Sequence, residues 1–247
     1  MEKHRRHLQK ELYVKKLSIV LIAFIIISTV WFSVYSKSKS DDPIIMAFGD
    51  SLTHGYGDKN GEGYVDGLES ELNDPGSDDK FRIWNYGIVG QETDGVLKQL
   101  DDVRIKSKLD EADYFIVFIG TNDLINSNGG NLTQVNDKKI KEAKTEYKKH
   151  LEEILDILEK KNKDAPILVL GLYNPYQNRE QIEKHIDEWD QLIIDTVKSD
   201  EQVTFIPTND LFKDKEKKAY FSDQLHPNER GYKLITERIL DRYQFNR

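Results

Sequence analysis

The 247-residue chain contains no cysteine. That absence removes disulfides, thiolate nucleophiles, cysteine-based metal sites and a lipid-modified N-terminal cysteine together. The main body also lacks any excess of basic residues. Residues 1–42 hold eight of the 36 Lys and Arg and four of the 44 Asp and Glu, leaving 28 basic against 40 acidic residues and a net charge of −12. A body this acidic has no basic footprint for phosphate backbones, so nucleic acid is not an expected partner. Nor should it lie flat on an anionic bilayer. There is no internal repeat and no low-complexity tract, and dense apolar runs interrupt the 32% of charged residues, as in a globular chain.

What is present begins with "LSIVLIAFIIISTVWFSVY", residues 17–35, nineteen residues without a charge. As a helix it would span about 28 Å, close to a hydrocarbon core. Trp31 and Tyr35 stand at its far end, where interfacial aromatics belong. Lys3, Arg5, Arg6, Lys10, Lys15 and Lys16 precede it, and only Lys37 and Lys39 follow closely. The positive-inside rule then predicts a basic cytoplasmic segment (1–16), a transmembrane signal-anchor (17–35), a juxtamembrane linker (36–42) and a domain outside the membrane (43–247). The linker reaches at most ~25 Å, which keeps the domain near the outer leaflet. A cleaved signal peptide, releasing a secreted domain, is the alternative; Val34-Tyr35-Ser36 is a weak match to the small-residue site that cleavage needs.

From residue 43 strand-like and helix-like segments alternate. Ile44–Phe48, Phe81–Asn85, Tyr114–Ile119, Ile167–Leu172 and Val203–Pro207 are short and apolar and end in or beside Gly, Asn or Pro, like buried parallel strands. Helical spacing links Ile140, Ala143, Tyr147, Leu151, Leu155 and Leu158, and again Ile182, Ile186, Trp189, Ile193 and Val197. A last helix follows Pro227, with Tyr232, Ile235 and Ile239 on one face. The pattern predicts an α/β fold, a parallel sheet covered on both faces. Ligands of open α/β sheets bind outside the carboxyl ends of the strands. Two polar connections there, 124–136 and 173–180, should flank a site, with Tyr173 and Tyr176 as candidate walls.

"IIMAFGDSLTHGYG", residues 44–57, puts Ser51 just beyond the carboxyl end of the first strand. A nucleophilic serine needs a base, an acid to orient it and donors for an oxyanion. Of six histidines, His4 and His7 precede the apolar segment, and His150 and His185 lie in amphipathic helices, where a partly exposed helix residue is the simpler reading. His54 falls on the rim of the serine turn as a candidate substrate contact. His226 remains, in "FSDQLHPNERGY", with Asp223 three residues before it, so that one turn can bring carboxylate to imidazole. Pro227 and Asn228 should then open the final helix. "NYGIVGQET" and "FIGTNDL" follow the second and third strands, and offer the Gly90 amide and the Asn122 side chain as oxyanion donors beside the Ser51 amide.

"FGDSLT", "NYGIVG", "GTND" and "DQLHP", in this order, resemble the four sequence blocks of the GDSL, or SGNH, hydrolase family over about residues 43–247. The anchored layout and the "LYNPY" stretch resemble its lipase/acylhydrolase-like branch in Gram-positive bacteria. The resemblance implies a three-layer α/β/α sandwich with a five-stranded parallel sheet. It further implies a Ser51–His226–Asp223 triad and an oxyanion hole of Ser51, Gly90 and Asn122, with no metal or organic cofactor. Gly87 competes with Gly90 for the second donor; Gly90 aligns with the final glycine of its block. No G-x-S-x-G occurs, unlike an ordinary α/β-hydrolase elbow.

Residues 58–69, "DKNGEGYVDGLE", set Asp58, Asn60, Glu62, Gly63, Asp66 and Glu69 at the spacing of a calcium loop. They follow the serine turn without a leading helix, and Gly-Tyr-Val-x-x-Leu reads as a helix start, so the match is taken as chance. The expected substrate is thus an ester-containing small molecule, a lipid or an acylated glycan. An O-acetylesterase or acyltransferase on wall polysaccharide is the alternative, and a catalytically silent anchored binding protein a more distant one.

Overall fold

The structure is a computed structural model that describes residues 42–73, 80–176 and 179–246. The chain divides into two units, Met1–Asp41 and Asp42–Arg247, and only the second is described here. The basic segment, the apolar 17–35 run and the linker up to residue 41 therefore lie outside the described residues. Among those described, no helix is long and apolar enough to cross a membrane.

Five strands form one sheet: β1 (Ile44–Gly49), β2 (Arg82–Gly87), β3 (Tyr114–Phe118), β4 (Ile167–Leu170) and β5 (Val203–Ile206). Their order is β2-β1-β3-β4-β5 and every pair is parallel. The strand ends differ from the apolar runs by one or two residues, for local reasons. β2 continues to pair Tyr86 with Phe48 and Gly87 with Gly49. β4 stops early because the Leu172 amide turns out of the ladder to the Asp190 carboxylate, 2.8 Å away.

The helices are α1 (Ser51–His54), α2 (Gly63–Leu72), α3 (Thr93–Asp101), α4 (Val103–Lys106), α5 (Thr121–Ser127), α6 (Asp137–Lys161), α7 (Glu180–Val197), α8 (Lys217–Tyr220) and α9 (Glu229–Arg242). Alternation along the strands assigns their side chains to two cores. Ile44, Met46 and Phe48 of β1 and Phe115 and Val117 of β3 face α3, α6 and α7. Ile45 and Ala47, with Tyr114, Ile116 and Phe118, face α2 and α9. Each buried Ile, Met, Val or Phe among them contributes about 1.5–3 kcal/mol of transfer free energy. The expected sandwich, with helices on both faces, is what forms.

One connection departs from the sequence reading. Residues 124–127 are the end of α5 rather than loop, because the Leu124 amide bonds the Gly120 carbonyl and the leucine side chain is buried. The 58–69 stretch is a turn running into α2, so Asp66 and Glu69 sit on a helix whose Tyr64, Val65 and Leu68 are core. As expected, Asn228 opens α9, its side chain accepting from the Arg230 and Gly231 amides.

The parallel order places the point where strand order reverses between β1 and β3. The crevice of such folds lies outside the carboxyl ends at this point. β1 delivers Ser51 there and β3 delivers Asn122.

Candidate active site

Ser51 is the first residue of α1, and the Asp50 carboxylate caps that short helix by accepting from the Leu52 amide at 2.9 Å. The serine stands at the end of a fully buried strand, and the packing beneath it is close. A Cβ on Gly49 would come within 2.1 Å of the Thr53 hydroxyl, and one on Gly87 within 2.3 Å of the His54 backbone nitrogen. Ser51 itself is buried.

His226, 175 residues further along, places Nε2 3.0 Å from the Ser51 hydroxyl. Its Nδ1 lies 2.8 Å from an Asp223 carboxylate oxygen. The other Asp223 oxygen accepts from the Leu225 and His226 amides, both at 2.7 Å. Burial alone would raise this carboxyl, but the two amides and the imidazole outweigh it and hold its pKa below the usual value. The carboxylate is 47% exposed and the imidazole 14%. The turn carrying both closes on itself through the Ser222 amide and the His226 carbonyl, and an isolated bridge joins Phe221 to Pro227. The Tyr56 ring packs against the imidazole at 4.6 Å between centroids.

Gly87 and Gly90 are told apart by their amides. Gly87 donates within its own strand, to Asn85 Oδ1 at 2.9 Å. Gly90 adopts φ +78, favourable only to glycine, and an added Cβ there would meet nothing within 4 Å. Among the described residues, neither the Ser51 nor the Gly90 amide has an acceptor. Asn122 donates its side-chain amide to the Gln91 carbonyl at 3.0 Å and to Asp50 Oδ2 at 3.3 Å.

Tyr173 departs from the expected wall. Its ring is buried against Phe212 and Phe221, and its hydroxyl donates to the Leu225 carbonyl at 2.8 Å, so it supports the histidine turn from beneath. Tyr176 is half-buried beside the Lys217 ammonium, and His54 is exposed on the rim. His185, expected at a helix surface, is buried with Nε2 2.7 Å from Asp137. His150 is half-buried and meets the Thr93 hydroxyl at 2.9 Å.

Three groups escaped the sequence reading. Asp50 is buried beside the serine, and desolvation pushes its carboxyl up to about 7. Gln91 donates to the Gly49 carbonyl while its own carbonyl receives Asn122. Asp123 is buried behind Asn122, bonded to Thr93, and burial raises it to about 6. Both aspartates stand inside the quoted motifs, next to Ser51 and Asn122, and that adjacency is the signal that could have flagged them. A cavity of about 750 Å³ bounded by Glu183, Asp187, Asn209 and Lys213 does not include Ser51 or His226; the Ser51, His226 and Asp223 cluster lies at the strand ends instead.

A parallel α/β sandwich with a hydroxyl, an imidazole and a carboxylate in hydrogen-bonded sequence at its strand ends has the form of a hydrolase. Residues 47–234 match the model of the GDSL-like Lipase/Acylhydrolase family, to which this chain belongs, and it is an ester-hydrolysing enzyme. It is 30% identical over 202 residues to the protein YpmR of Bacillus subtilis strain 168, covering 79% of each chain. It is 28% identical to the spore germination lipase LipC of Bacillus licheniformis, covering 78% of this chain and 92% of that one. Among solved structures, the lipase Lip_vut3 from a goat rumen metagenome superposes with a TM-score of 0.70 at 26% identity, over 81% of this chain and 96% of that one. The acetylxylan esterase Axe2 of Geobacillus stearothermophilus shares the fold, with a TM-score of 0.66 at 18% identity over 84% of this chain and 97% of that one.

Proposed function

We propose that the enzyme is a serine esterase of the lipase type, held outside the cell membrane by residues 17–35. The observation that carries the catalytic part is the 3.0 Å approach of His226 Nε2 to the Ser51 hydroxyl across 175 residues of chain. Ser51 Oγ attacks the ester carbonyl as His226 Nε2 takes its proton, and Asp223 holds Nδ1–H and stabilises the imidazolium. The tetrahedral oxyanion is received by the amides of Ser51 and Gly90, neither of which meets an acceptor among the described residues. Asn122 is the third donor, and it releases the longer of its two contacts, that to Asp50, to serve. His226 then protonates the leaving alcohol, and the same imidazole activates a water that cleaves the acyl-enzyme. The apolar, uncharged 17–35 run after a basic N-terminus supports the location, and the lipase name of one relative supports an acyl ester as substrate.

Ser51→Ala should abolish p-nitrophenyl ester hydrolysis in a folded protein and prevent labelling by a fluorophosphonate probe. Turnover retained by that variant refutes the assignment.

A further inference from the structure

Among the described residues four large hydrophobic side chains are exposed: Tyr56, Ile88, Val89 and Val103. Scattered singly, such residues need no explanation. Three of these four are gathered around Ser51. Tyr56 bonds the Ser51 carbonyl through its amide at 2.9 Å and covers the imidazole. Ile88 and Val89, 49% and 51% exposed, form the crest of the turn that ends in Gly90.

That crest is rigid. The Ile88 amide donates to the Gly49 carbonyl at 3.1 Å, and the Gln91 amide closes the turn on the Ile88 carbonyl at 3.1 Å. Positive φ at the third turn position is what glycine supplies. The Gln91 side chain and Asn122 clamp the turn from below. The two apolar side chains thus cannot fold back into the core, which is already filled on both faces of the sheet. The space over Gly90 is open.

Resting on the serine-esterase reading, we infer that Ile88 and Val89 are the platform for the acyl chain of the substrate. In the tetrahedral adduct the leaving oxygen faces His226, beside Tyr56, and the oxyanion faces Gly90 and Asn122. The acyl substituent takes the remaining direction, and the neighbour of the Gly90 donor is Val89. A chain lying across this crest is covered on one side only. It gains about twofold per methylene, roughly half in free energy of the fourfold that full burial of one CH₂ represents. The favoured acyl group is accordingly longer than acetyl, and the preference levels off once the chain has passed the two side chains.

The test is a series of p-nitrophenyl esters, acetate through decanoate, kept below their micelle concentrations and assayed with the full chain. For the unaltered enzyme kcat/KM should rise about tenfold or more from acetate to hexanoate. In the Ile88→Ser/Val89→Ser double variant the hexanoate-to-acetate ratio should fall below about threefold. Val103→Ser, altering the exposed side chain on α4, should keep the full ratio and shows that surface polarity alone is not the cause. An unaltered enzyme that favours acetate, or a ratio unchanged in the double variant, overturns the platform while the serine chemistry stands. Absence of any acetate or hexanoate turnover in the unaltered enzyme overturns the serine reading, and the platform with it.

Discussion

Two sets of hydroxyl, imidazole and carboxylate occur in this domain, and their order differs. At Ser51 the imidazole stands in the middle, 3.0 Å from the hydroxyl and 2.8 Å from Asp223. At Thr93 the hydroxyl stands in the middle, donating to Asp123 at 2.5 Å and receiving from His150 Nδ1 at 2.9 Å. In the first order the base can take the hydroxyl proton and be stabilised from behind. In the second the hydroxyl proton is already committed to the carboxylate, and the imidazole meets only the oxygen. The same three chemical groups therefore make, on the proposed function, a reactive centre in one place and a brace in the other. The brace ties the start of α3 to α5 and α6, directly behind Asn122.

Substitutions that separate the two sets follow from their order. Ser51→Ala should cost the most, about 10⁶-fold in kcat, read from ester hydrolysis with circular dichroism as the check on folding. Asp223→Asn should cost up to about 10⁴-fold by leaving the imidazole in the wrong tautomer; comparable activity at all pH values would show that the exposed carboxylate is dispensable. Asn122→Ala should lower kcat about 100- to 1,000-fold, with a smaller change in KM, by removing one oxyanion donor. Thr93→Val, by contrast, should leave most of the turnover and lower stability by about 1–3 kcal/mol, since Asp123 then loses its hydroxyl partner. Chemical denaturation measures that loss, and turnover falling as far as in Ser51→Ala would break the contrast.

An effect on stability alone, with turnover untouched, concerns Asp190, remote from both sets. Burial chiefly, with the nearby Asp187, Asp210 and Glu183 charges, raises its carboxyl to about 7, against the lowering effect of the Leu172 amide. Because the folded state holds this proton more tightly than the unfolded chain, its stabilising contribution is full below about pH 4. It is lost as pH rises through about 7. Asp190→Asn should therefore flatten the rise in thermal stability on acidification from pH 8 to 5, by at most about 3 kcal/mol. Melting curves across that range decide it.

Much of this arrangement was legible in the residue order. Ser51 follows a continuous apolar run, Asp223 and His226 are one turn apart, and the helical spacing around Leu151 and Trp189 is unbroken. These are local patterns, and local backbone geometry converts them directly into elements. Tyr173 was misplaced because "LYNPY" reads as polar loop, while the rings of Phe212 and Phe221 that enclose it come from a segment about 40 to 50 residues later. His185 was misread for the same reason. Its partner Asp137 opens another helix, and only the packing of α7 on α6 brings the two together.

The sequence by itself determined the alternation of strands and helices, the acidic body behind a basic and apolar N-terminal segment, and the identity of the chemical groups available. Periodicity, charge and composition are properties of neighbouring residues, so they survive without coordinates. Only the tertiary structure decided that the Gly87 amide is taken by Asn85 while the Gly90 amide meets no acceptor among the described residues, that Asp50 is desolvated, and that one imidazole stands between hydroxyl and carboxylate while another stands behind its hydroxyl. Most of these depend on contacts between segments far apart in the chain, and such contacts exist only once the sheet has formed and its strand ends have met.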